Sequence, residues 1–323
     1  MKTVILFFIS IIGNSSVHEP SEHFQQDCIT RFNDLRRNEE WEIRDDVSVP
    51  ALRYAAIIIL VKNSEDIIHV NLEHHYRLGF RRFFILDNNS TDKTSFLILS
   101  FKKNHEDADV FYTTDYNPAH RQAIKTGAMA TFAENYLHND PHPIDWFFPI
   151  DADEFITCCT KNTVNAVQEF TNFLEDSSSE VLVFNWAQSA LFSKETRKFT
   201  TFSDRLSTTE FSTWNNMKVH VTKIAYRANH QLTPTEGNHF VDNYHAGENG
   251  LRSMTAIGFC LLHFPMRSIE QLRCKLVDGV NGLNAAKHHP STGGHWRYYH
   301  NHYLRHGDKA LHAFLMEHIN SCL

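Results

Sequence analysis

Several features that would narrow the function are missing from this sequence of 323 residues. None of its six cysteines forms a C-x-x-C pair, so there is no zinc knuckle; we interpret them mainly as free thiols, with one or two disulfides left open. No apolar run reaches the roughly 20 residues of a membrane-spanning helix. The net charge is −7 rather than positive, which argues against nucleic acid as a partner. The sequence has no internal repeats and no low-complexity tract, and its length and composition predict a globular protein of one large domain or two.

The N-terminus carries a signal-like or membrane-contacting segment, residues 1–16. Lys2 precedes an apolar run from Val4 to Ile12, and small and polar residues follow. A helix of that length spans only about 13 Å, against roughly 30 Å of hydrocarbon core, so a signal peptide or peripheral membrane contact is predicted. A short buried helix or strand is the alternative. Residues 17–50 are predicted to be a polar lead-in, and the secretory pathway or a membrane surface is favoured over the free cytosol.

Apolar runs alternate with helical periodicity in residues 51–160. This alternation predicts βαβ units and a mostly parallel sheet. The third helix, about 119–137, has apolar residues four apart at Ile124, Ala128, Phe132 and Tyr136. The predicted strands are 54–61, 82–86, 108–113 and 144–150, and the first two helices begin near Ser64 and near Thr91 or Asp92.

Residues 161–323 are less regular and are predicted to form a second half of the chain with C-terminal helices. Three strands are predicted, at 181–187, 218–227 and 256–265. Ser268 and Gln271 then form an S-x-x-Q capping box that opens a helix. The last helix is predicted near 298–320.

Polar motifs follow the predicted strands of the first half. The sequences KNSED, DNNSTD and DADE stand at strand ends, where open α/β sheets bind their ligands. Asp151 and Asp153 have the i, i+2 spacing that turns side chains to one side, and their oxygens suit Mg²⁺ or Mn²⁺ shared with phosphates. No glycine follows where a calcium-binding EF-hand turn needs one. D-x-D is weak alone, and Asp87 is equally explained by a turn.

The order of these motifs resembles that of GT-A glycosyltransferases, closest to the family 2-like and family 92-like group. The matching runs are VKNSEDIIHVNLEHHYRLGFRRFFILDNNSTDKT (61–94) and DWFFPIDADEF (145–155). HFPMRSIEQLRCKLVDG (263–279) and GGHWR (293–297) resemble later segments. The resemblance implies a GT-A-like α/β fold, with a mostly parallel central sheet flanked by helices. It also implies sugar transfer from a nucleotide-activated donor to an acceptor hydroxyl, with Mn²⁺ or Mg²⁺ bridging the diphosphate.

The resemblance also implies site residues. Asp151, Asp153 and His263 would hold the metal, and Asp151 would contact the ribose or the metal. Family members often carry Asp-Asp where this chain has Asp87-Asn88. Gln122 and Lys125 lie where they could reach the donor. The nucleotide-sugar-binding positions implied are Lys62, Asn63, Asp87, Asn88, Arg121, Asp151 and Arg297.

An inverting enzyme needs a carboxylate near the acceptor hydroxyl as general base. Glu236, Asp242 and Glu248 are the candidates, and Glu236 is our choice. The predicted function is a metal-dependent, hexosyltransferase-type glycosyltransferase, inverting by resemblance. It would use a nucleotide-sugar, with a UDP-sugar favoured, and a glycan, lipid or protein acceptor. The alternatives are a catalytically silent GT-A-like binding protein, and a metal-dependent phosphohydrolase that releases phosphate without an acceptor.

Overall fold

The part of the chain that can be described begins after the predicted lead-in. The computed structural model describes residues 51–158, 163–176, 178–193, 198–199, 210–213, 222–228, 232–244, 252–254, 259–289 and 292–322. Segments 1–16 and 17–50 lie outside these residues, as do parts of the strands predicted at 218–227 and 256–265. Among the helices in the described ranges, none combines the length and the apolar character needed to cross a bilayer.

The first half of the sheet is parallel. Strand β1 (Leu52–Val61) lies between β2 (Phe80–Asp87) and β4 (Trp146–Asp151), and β3 (Asp109–Thr114) extends the sheet beyond β2. Ile57, Ile58 and Ile59 face both sides and are at most 1% exposed, as expected for a strand covered on both faces. The connecting helices are α1 (Ile68–Arg77), α2 (Thr94–Asn104) and α3 (Gln122–Tyr136).

The second half continues the same sheet in mixed orientation. Strand β9 (Thr222–Arg227) is antiparallel to both β4 and β6 (Val181–Ser193), and β13 (Phe259–His263) is parallel to β6. Strand β5 (Glu154–Cys158) follows β4 in the chain yet pairs with β13, so the two predicted halves share one sheet. The remaining elements are α4 (Thr163–Asp176), β7 (Lys198–Phe199), β8 (Glu210–Thr213), β10 (Thr233–Pro234), a 3-10 turn (Glu236–Asn238), β11 (Val241–Asp242), β12 (Arg252–Ser253), α5 (Ile269–Ala285), α6 (Gly294–His306) and α7 (Asp308–Cys322).

Strands of both halves lie side by side in one sheet with a defined order. The order is β3-β2-β1-β4-β9-β6-β13-β5, with the shorter β7, β8 and β12 paired to β6. The predicted mixed α/β class, with a mainly parallel central sheet flanked by helices, is confirmed.

Helix α3 packs on the sheet with a different face from the one its sequence suggests. The aromatic and aliphatic stripe is exposed, at 64% for Ile124, 46% for Phe132 and 59% for Tyr136. Met129 and the fully buried Ala133 face the sheet instead. A small side chain lets the helix axis come close to the strands, so the compact face is the one that is buried.

The C-terminal helix predicted near 298–320 is two helices. Helix α6 ends at His306 and α7 begins at Asp308. Gly307 between them has φ 58° and ψ −148°, a backbone conformation that glycine adopts readily and that ends a helix. The predicted single helix is therefore wrong at this point.

The capping box at the start of α5 is confirmed. The Ser268 Oγ accepts the N–H of Gln271 at 3.0 Å. The Gln271 Oε1 accepts the N–H of Arg267 at 3.0 Å, one residue before the serine. This cap fixes where α5 begins, and with it the position of the side chains that α5 carries toward the strand ends.

Candidate active site

The carboxyl ends of β1, β2 and β4 meet at one edge of the sheet. In the strand register Val61 lies beside Asp87, and Leu60 lies beside Asp151. The chain leaves β1 toward β2 and later returns to its other side for β4, so the strand order reverses between β1 and β4. Such a reversal opens a crevice at the carboxyl ends, which is where α/β sheets bind ligands.

The loop after β1 is fastened to the loop after β2. Asn63 has a left-handed φ of 45°, and its Oδ1 accepts the Thr91 N–H at 2.8 Å. Its Nδ2 donates to the Asp278 Oδ2 of α5 at 2.7 Å. The Lys62 Nζ donates to the carbonyl oxygen of Asn88 at 2.8 Å. Both predicted nucleotide-binding residues are thus engaged in holding the loops together.

Asp87 has the turn role that its sequence left open. It is 1% exposed, and its Oδ1 accepts the Ser90 N–H at 2.8 Å and the Ser90 hydroxyl at 2.6 Å. Its Oδ2 accepts the Tyr112 hydroxyl at 2.8 Å. Asn88 is only half-buried, and its Nδ2 donates to the Asn117 carbonyl at 2.6 Å. Of the two, Asn88 lies nearer the surface, and contact with a base stays a prediction for both.

Asp151 belongs to a buried charged group at the end of β4. Its Oδ1 accepts from the Gln122 Nε2 at 2.7 Å, and its Oδ2 from the Lys223 Nζ at 2.8 Å. Its backbone N–H donates to the Glu154 Oε2 at 2.8 Å. The same Lys223 Nζ lies 3.0 Å from the Glu154 Oε1, so one lysine joins both acids.

The protonation of this group follows from its burial. Burial raises the pKa of Glu154 to about 8; the charge of Lys223 opposes this, and that of Asp151 adds to it. Burial alone would lower the pKa of Lys223, but the charges of Asp151 and Glu154 outweigh it and raise that pKa. At neutral pH Glu154 is therefore mostly protonated, and Lys223 pairs chiefly with Asp151.

Asp153 is held by cations from the segment around the start of α5. It is 6% exposed, and its Oδ2 lies 2.5 Å from the Lys275 Nζ and 3.2 Å from the Arg267 Nη1. Burial alone would raise the pKa of Asp153, but the charge of Lys275, with those of His263 and Arg267, lowers it well below its usual value. The His263 Nε2 lies 3.6 Å from the Asp153 Oδ1, and burial keeps the pKa of His263 low, so this imidazole is neutral.

The donors around Asp153 do not form a complete site for a divalent cation. The Asp153 Oδ1 and the neutral His263 Nε2 are suitable donor types for Mn²⁺ and lie 3.6 Å apart. The other oxygen of Asp153 is bound by Lys275 and Arg267, and both oxygens of Asp151 are bound as described above. Across the described ranges, no three His, Cys, Asp or Glu side chains are grouped to hold a metal ion. The arrangement does not fit a preformed metal site, and the three ligand assignments stay predictions.

Glu236 is linked to Asp151 by hydrogen bonds through one residue, Gln122. It is exposed in the 3-10 turn after β10, and its Oε2 accepts the N–H of Gln122 at 3.0 Å, at the first turn of α3. The Gln122 side chain in turn donates to Asp151. Of the other general-base candidates, Asp242 is exposed on β11 and Glu248 lies outside the described residues. Glu236 is therefore the candidate that hydrogen bonds link to the acid group, through Gln122.

The two predicted arginines lie at different places. Arg121 is exposed immediately before α3, on the same side as Gln122. Arg297, in α6, donates to the Asn284 Oδ1 near the end of α5 at 2.7 Å and to the Thr292 carbonyl at 3.4 Å. Arg121 is thus next in the chain to Gln122, which contacts Asp151, whereas the contacts of Arg297 are with the end of α5 and the loop after it.

Sequence reasoning missed the three cations that hold the acids. Lys223 lies in the strand sequence KVHVTKIAYR, where apolar and polar residues alternate. Because a lysine is rarely buried without an acidic partner, a lysine in such a strand could have indicated a buried carboxylate nearby. Arg267 and Lys275 lie in the segment 263–279, which carries the resemblance but to which no cationic role was assigned. Nothing in the local sequence links either of them to Asp153.

A cavity of about 600 Å³ runs along α3 from a point just after Gln122. Ile124 and Thr131 of α3, Tyr226 of β9 and Thr233 of β10 line it. The buried Tyr226 hydroxyl has no hydrogen-bond partner within the described part of the chain. The cavity therefore reaches β10, the short strand that precedes the turn carrying Glu236.

Comparison with known proteins gives weak structural likenesses, among them two glycosyltransferases. No protein-family profile matches the chain, and no curated protein matches it. A mannosyltransferase, PcManGT from Pyrobaculum calidifontis in complex with GDP-Man and Mn²⁺, is 14% identical over 50% of this chain and 46% of its own, with a TM-score of 0.28. Glucosyl-3-phosphoglycerate synthase from Mycobacterium tuberculosis, in complex with Mg²⁺ and uridine-diphosphate, is 14% identical over 48% and 47%, with a TM-score of 0.26.

The chain spans about half the length of each of these solved structures. Both are glycosyltransferases with nucleotide ligands and divalent metals in their complexes. With TM-scores this low, neither supports an argument about activity, and the predicted membership of the family 2-like or family 92-like group stays a prediction. Any function assigned to this chain rests on the geometry of its own site.

Proposed function

We propose that the chain is a glycosyltransferase that moves a sugar from a nucleotide-sugar donor to an acceptor hydroxyl. The observation that supports this most strongly is the position of Asp151 and Asp153. They lie at the carboxyl end of β4, beside the crevice where the strand order reverses. Lys223 and Lys275 meet them there, so the crevice combines acids with the cations that a diphosphate requires.

The donor is proposed to lie across the two sides of this crevice. Its base would lie at the loops after β1 and β2, against Lys62, Asn63, Asp87 and Asn88. Its ribose would contact Asp151, and its phosphates would extend toward Asp153. Arg121 would reach the phosphates from the start of α3, and Arg297 from α6. A UDP-sugar is the first donor to test.

The transfer step requires positive charge at the leaving group and a base at the acceptor. The bond from the sugar C1 to the phosphate oxygen breaks, and its electron pair leaves with the nucleoside diphosphate. The acceptor oxygen attacks C1, and Glu236 would take its proton, giving inversion. The positive charge at the diphosphate would come either from the predicted Mn²⁺ or Mg²⁺ or from the lysines already present.

The remaining assignments complete the proposal. Residues 161–323 would supply the acceptor side, with the cavity along α3 as a place for part of a glycan, lipid or protein acceptor. The segment 1–16 would direct the chain to the secretory pathway or to a membrane surface.

Nucleotide binding by the full chain is the first test. We expect UDP, GDP or CMP, or one of their sugars, to raise the unfolding temperature. A ligand at 100 times its Kd adds about 2.7 kcal/mol to the free energy of unfolding. A well-folded sample that responds to no nucleotide would overturn the proposal. Binding without turnover of any donor would favour the catalytically silent alternative, and release of phosphate without an acceptor would favour the phosphohydrolase.

The role of Glu236 can be separated from its contact with α3. Glu236→Gln keeps an oxygen that can accept the Gln122 N–H but cannot take a proton at neutral pH. Loss of a general base lowers kcat by about 10²–10⁴-fold, and we expect this with unchanged nucleotide affinity. Asp242→Asn, on exposed β11, is the matched control and should retain full activity. A fully active Glu236→Gln variant would remove Glu236 from the mechanism.

A further inference from the structure

Asp153, the acid predicted to bind metal directly, already has two cationic partners. The Lys275 Nζ lies 2.5 Å from its Oδ2, and the Arg267 Nη1 lies 3.2 Å from the same oxygen. The two partners come from either side of the cap that opens α5. The cap fixes where α5 begins, and it therefore also fixes the positions of both cations relative to Asp153.

The two cations are not equivalent. Arg267 is 3% exposed, and its guanidinium also donates to both oxygens of Asp66, at 2.7 and 3.0 Å. Its charge is balanced within the protein, which makes it a structural group. The Lys275 side chain is 27% exposed, and beyond Asp153 its Nζ has two weak contacts, with the Pro265 carbonyl at 3.4 Å and with the Trp296 ring at 5.3 Å from its centroid; no second carboxylate among the described residues holds it. Lys275 is the cation that can turn from Asp153 toward a ligand in the crevice.

The charge balance around Asp153 argues against a divalent cation. A metal bound to the Oδ1 of Asp153 would share this carboxylate with the Lys275 ammonium, which is bound to Oδ2. Two positive charges held by one carboxylate repel each other. The ion-paired set contains four acids and three cations, and because Glu154 is mostly protonated at neutral pH, the other three acids are balanced by the three cations and no net negative charge is left to attract a divalent cation. Its members are the acids Asp66, Asp151, Asp153 and Glu154 and the cations Lys223, Arg267 and Lys275.

We propose that the ammonium of Lys275, rather than a divalent metal, neutralises the leaving diphosphate. This inference rests on the proposed function. As the sugar C1–oxygen bond breaks, the electron pair passes to the phosphate oxygen, and the Lys275 ammonium donates a hydrogen bond to the charged diphosphate. The acceptor oxygen forms the new bond to C1, and its proton goes to the base. Asp153 is then a positioning residue that holds Lys275 at the crevice between turnovers.

Calorimetric titration of the full chain with UDP and with GDP tests this directly. We expect the Kd in EDTA to lie within about threefold of the Kd in Mn²⁺. Lys275→Met should weaken binding by at least about tenfold in both buffers, since it removes a charge-assisted contact to phosphate. Lys275→Arg should recover part of that loss. Lys103→Met, an exposed lysine at the far end of α2, is the matched control and should bind like the wild type.

A second readout measures the metal without any nucleotide. Free Mn²⁺ has a strong electron paramagnetic resonance signal that weakens when the ion binds to protein. The wild type should leave the signal almost unchanged, and Lys275→Met, which exposes the Asp153 carboxylate, should bind Mn²⁺ at least about tenfold more tightly. If Lys275→Met does not fold, the neutral pair Asp153→Asn with Lys275→Met replaces it in the nucleotide titration.

The outcomes separate this inference from the function on which it rests. Mn²⁺ that tightens nucleotide binding tenfold in the wild type, with Lys275→Met binding like the wild type, would overturn the role of Lys275 and leave the glycosyltransferase proposal intact. Tight Mn²⁺ binding by the wild type alone would also overturn it. If no nucleotide binds in either buffer, the proposed function itself fails, whichever result the Mn²⁺ titration gives.

Discussion

Two polar groups at the same edge of the sheet are built in opposite ways. The loops after β1 and β2 are joined by hydrogen bonds such as those from Ser90 to Asp87 and from Thr91 to Asn63, between residues at most 28 apart in the chain. The acids after β4 are instead joined to Lys223, 72 residues from Asp151, and to Lys275, 122 residues from Asp153. Apart from the hydrogen bond from Asn63 to Asp278 of α5, the first group is held by contacts between two successive loops, whereas the second depends on the whole fold.

The difference has an energetic consequence. A hydrogen bond between neutral groups contributes about 1 kcal/mol net, whereas removing one member of a buried ion pair leaves an uncompensated charge and costs about 3–5 kcal/mol. Substitutions in the acid group should therefore destabilise the protein far more than substitutions in the loop group.

The largest effect is expected for Lys223→Met. Lys223 is 1% exposed and joins Asp151 to Glu154, so its removal leaves the partly buried Asp151 carboxylate without its cation and the buried Glu154 Oε1 without the neighbouring ammonium. We expect the free energy of unfolding to fall by about 3–5 kcal/mol, measured by urea denaturation at pH 7. The double variant with Asp151→Asn should recover at least about 1 kcal/mol, because it also removes the carboxylate that would be left without its cation. A single-variant loss below 1 kcal/mol would contradict the ion-pair account.

The pH dependence of Glu154 gives the next effect in size. Its pKa of about 8 in the folded chain, against an ordinary 4.5, means that folding favours the protonated acid. The stabilisation is complete below pH 4.5 and is lost as the pH rises through 8, with a slope of at most about 1.4 kcal/mol per pH unit. Asp153 has a lowered pKa, so its contribution changes only at acid pH and does not interfere.

Urea denaturation from pH 5 to 8 measures this effect. The wild type should lose stability with rising pH relative to Glu154→Gln, which cannot ionise, while the histidines titrate alike in both proteins. Parallel stability curves over this range would mean that Glu154 is ionised throughout, with Lys223 as its full partner.

The fold was largely predictable because its signals are local. Continuous apolar runs such as 54–61 and 82–86 mark strands covered on both faces, and β1 and β2 extend them by only a few residues. The packing face of α3 was not evident from the sequence, because apolar character alone does not reveal that Ala133 and its small neighbours approach the sheet. Gly307 was overlooked as a helix break because the apolar periodicity continues on both sides of it.

The candidate site was predictable only in its acids. The strand ends placed Asp87 and Asp151 at one edge, since carboxyl ends of parallel strands meet there. His263 lies beside Asp153 because the last residue of β13, His263, pairs with Glu154, the first residue of β5. Lys275 could not be linked to Asp153 from sequence, because their contact depends on where α5 starts and on how the β5–β13 pair carries the chain back across the sheet.

The smallest effect is expected for Lys62→Met, the counterpart of Lys223→Met in the loop group. The Lys62 Nζ donates to the carbonyl oxygens of Asn88 and Asn89, at 2.8 and 3.3 Å, and these partners carry no charge. Its removal leaves no buried ion, so we expect a loss of about 1–2 kcal/mol in the same urea experiment. The two variants make the same chemical change, one just after β1 and the other at the start of β9, with β4 between the two strands, so their difference reports the contribution of the acids. Equal losses would mean that ion pairing with distant segments stabilises the protein no more than the hydrogen bonds of the loop group do.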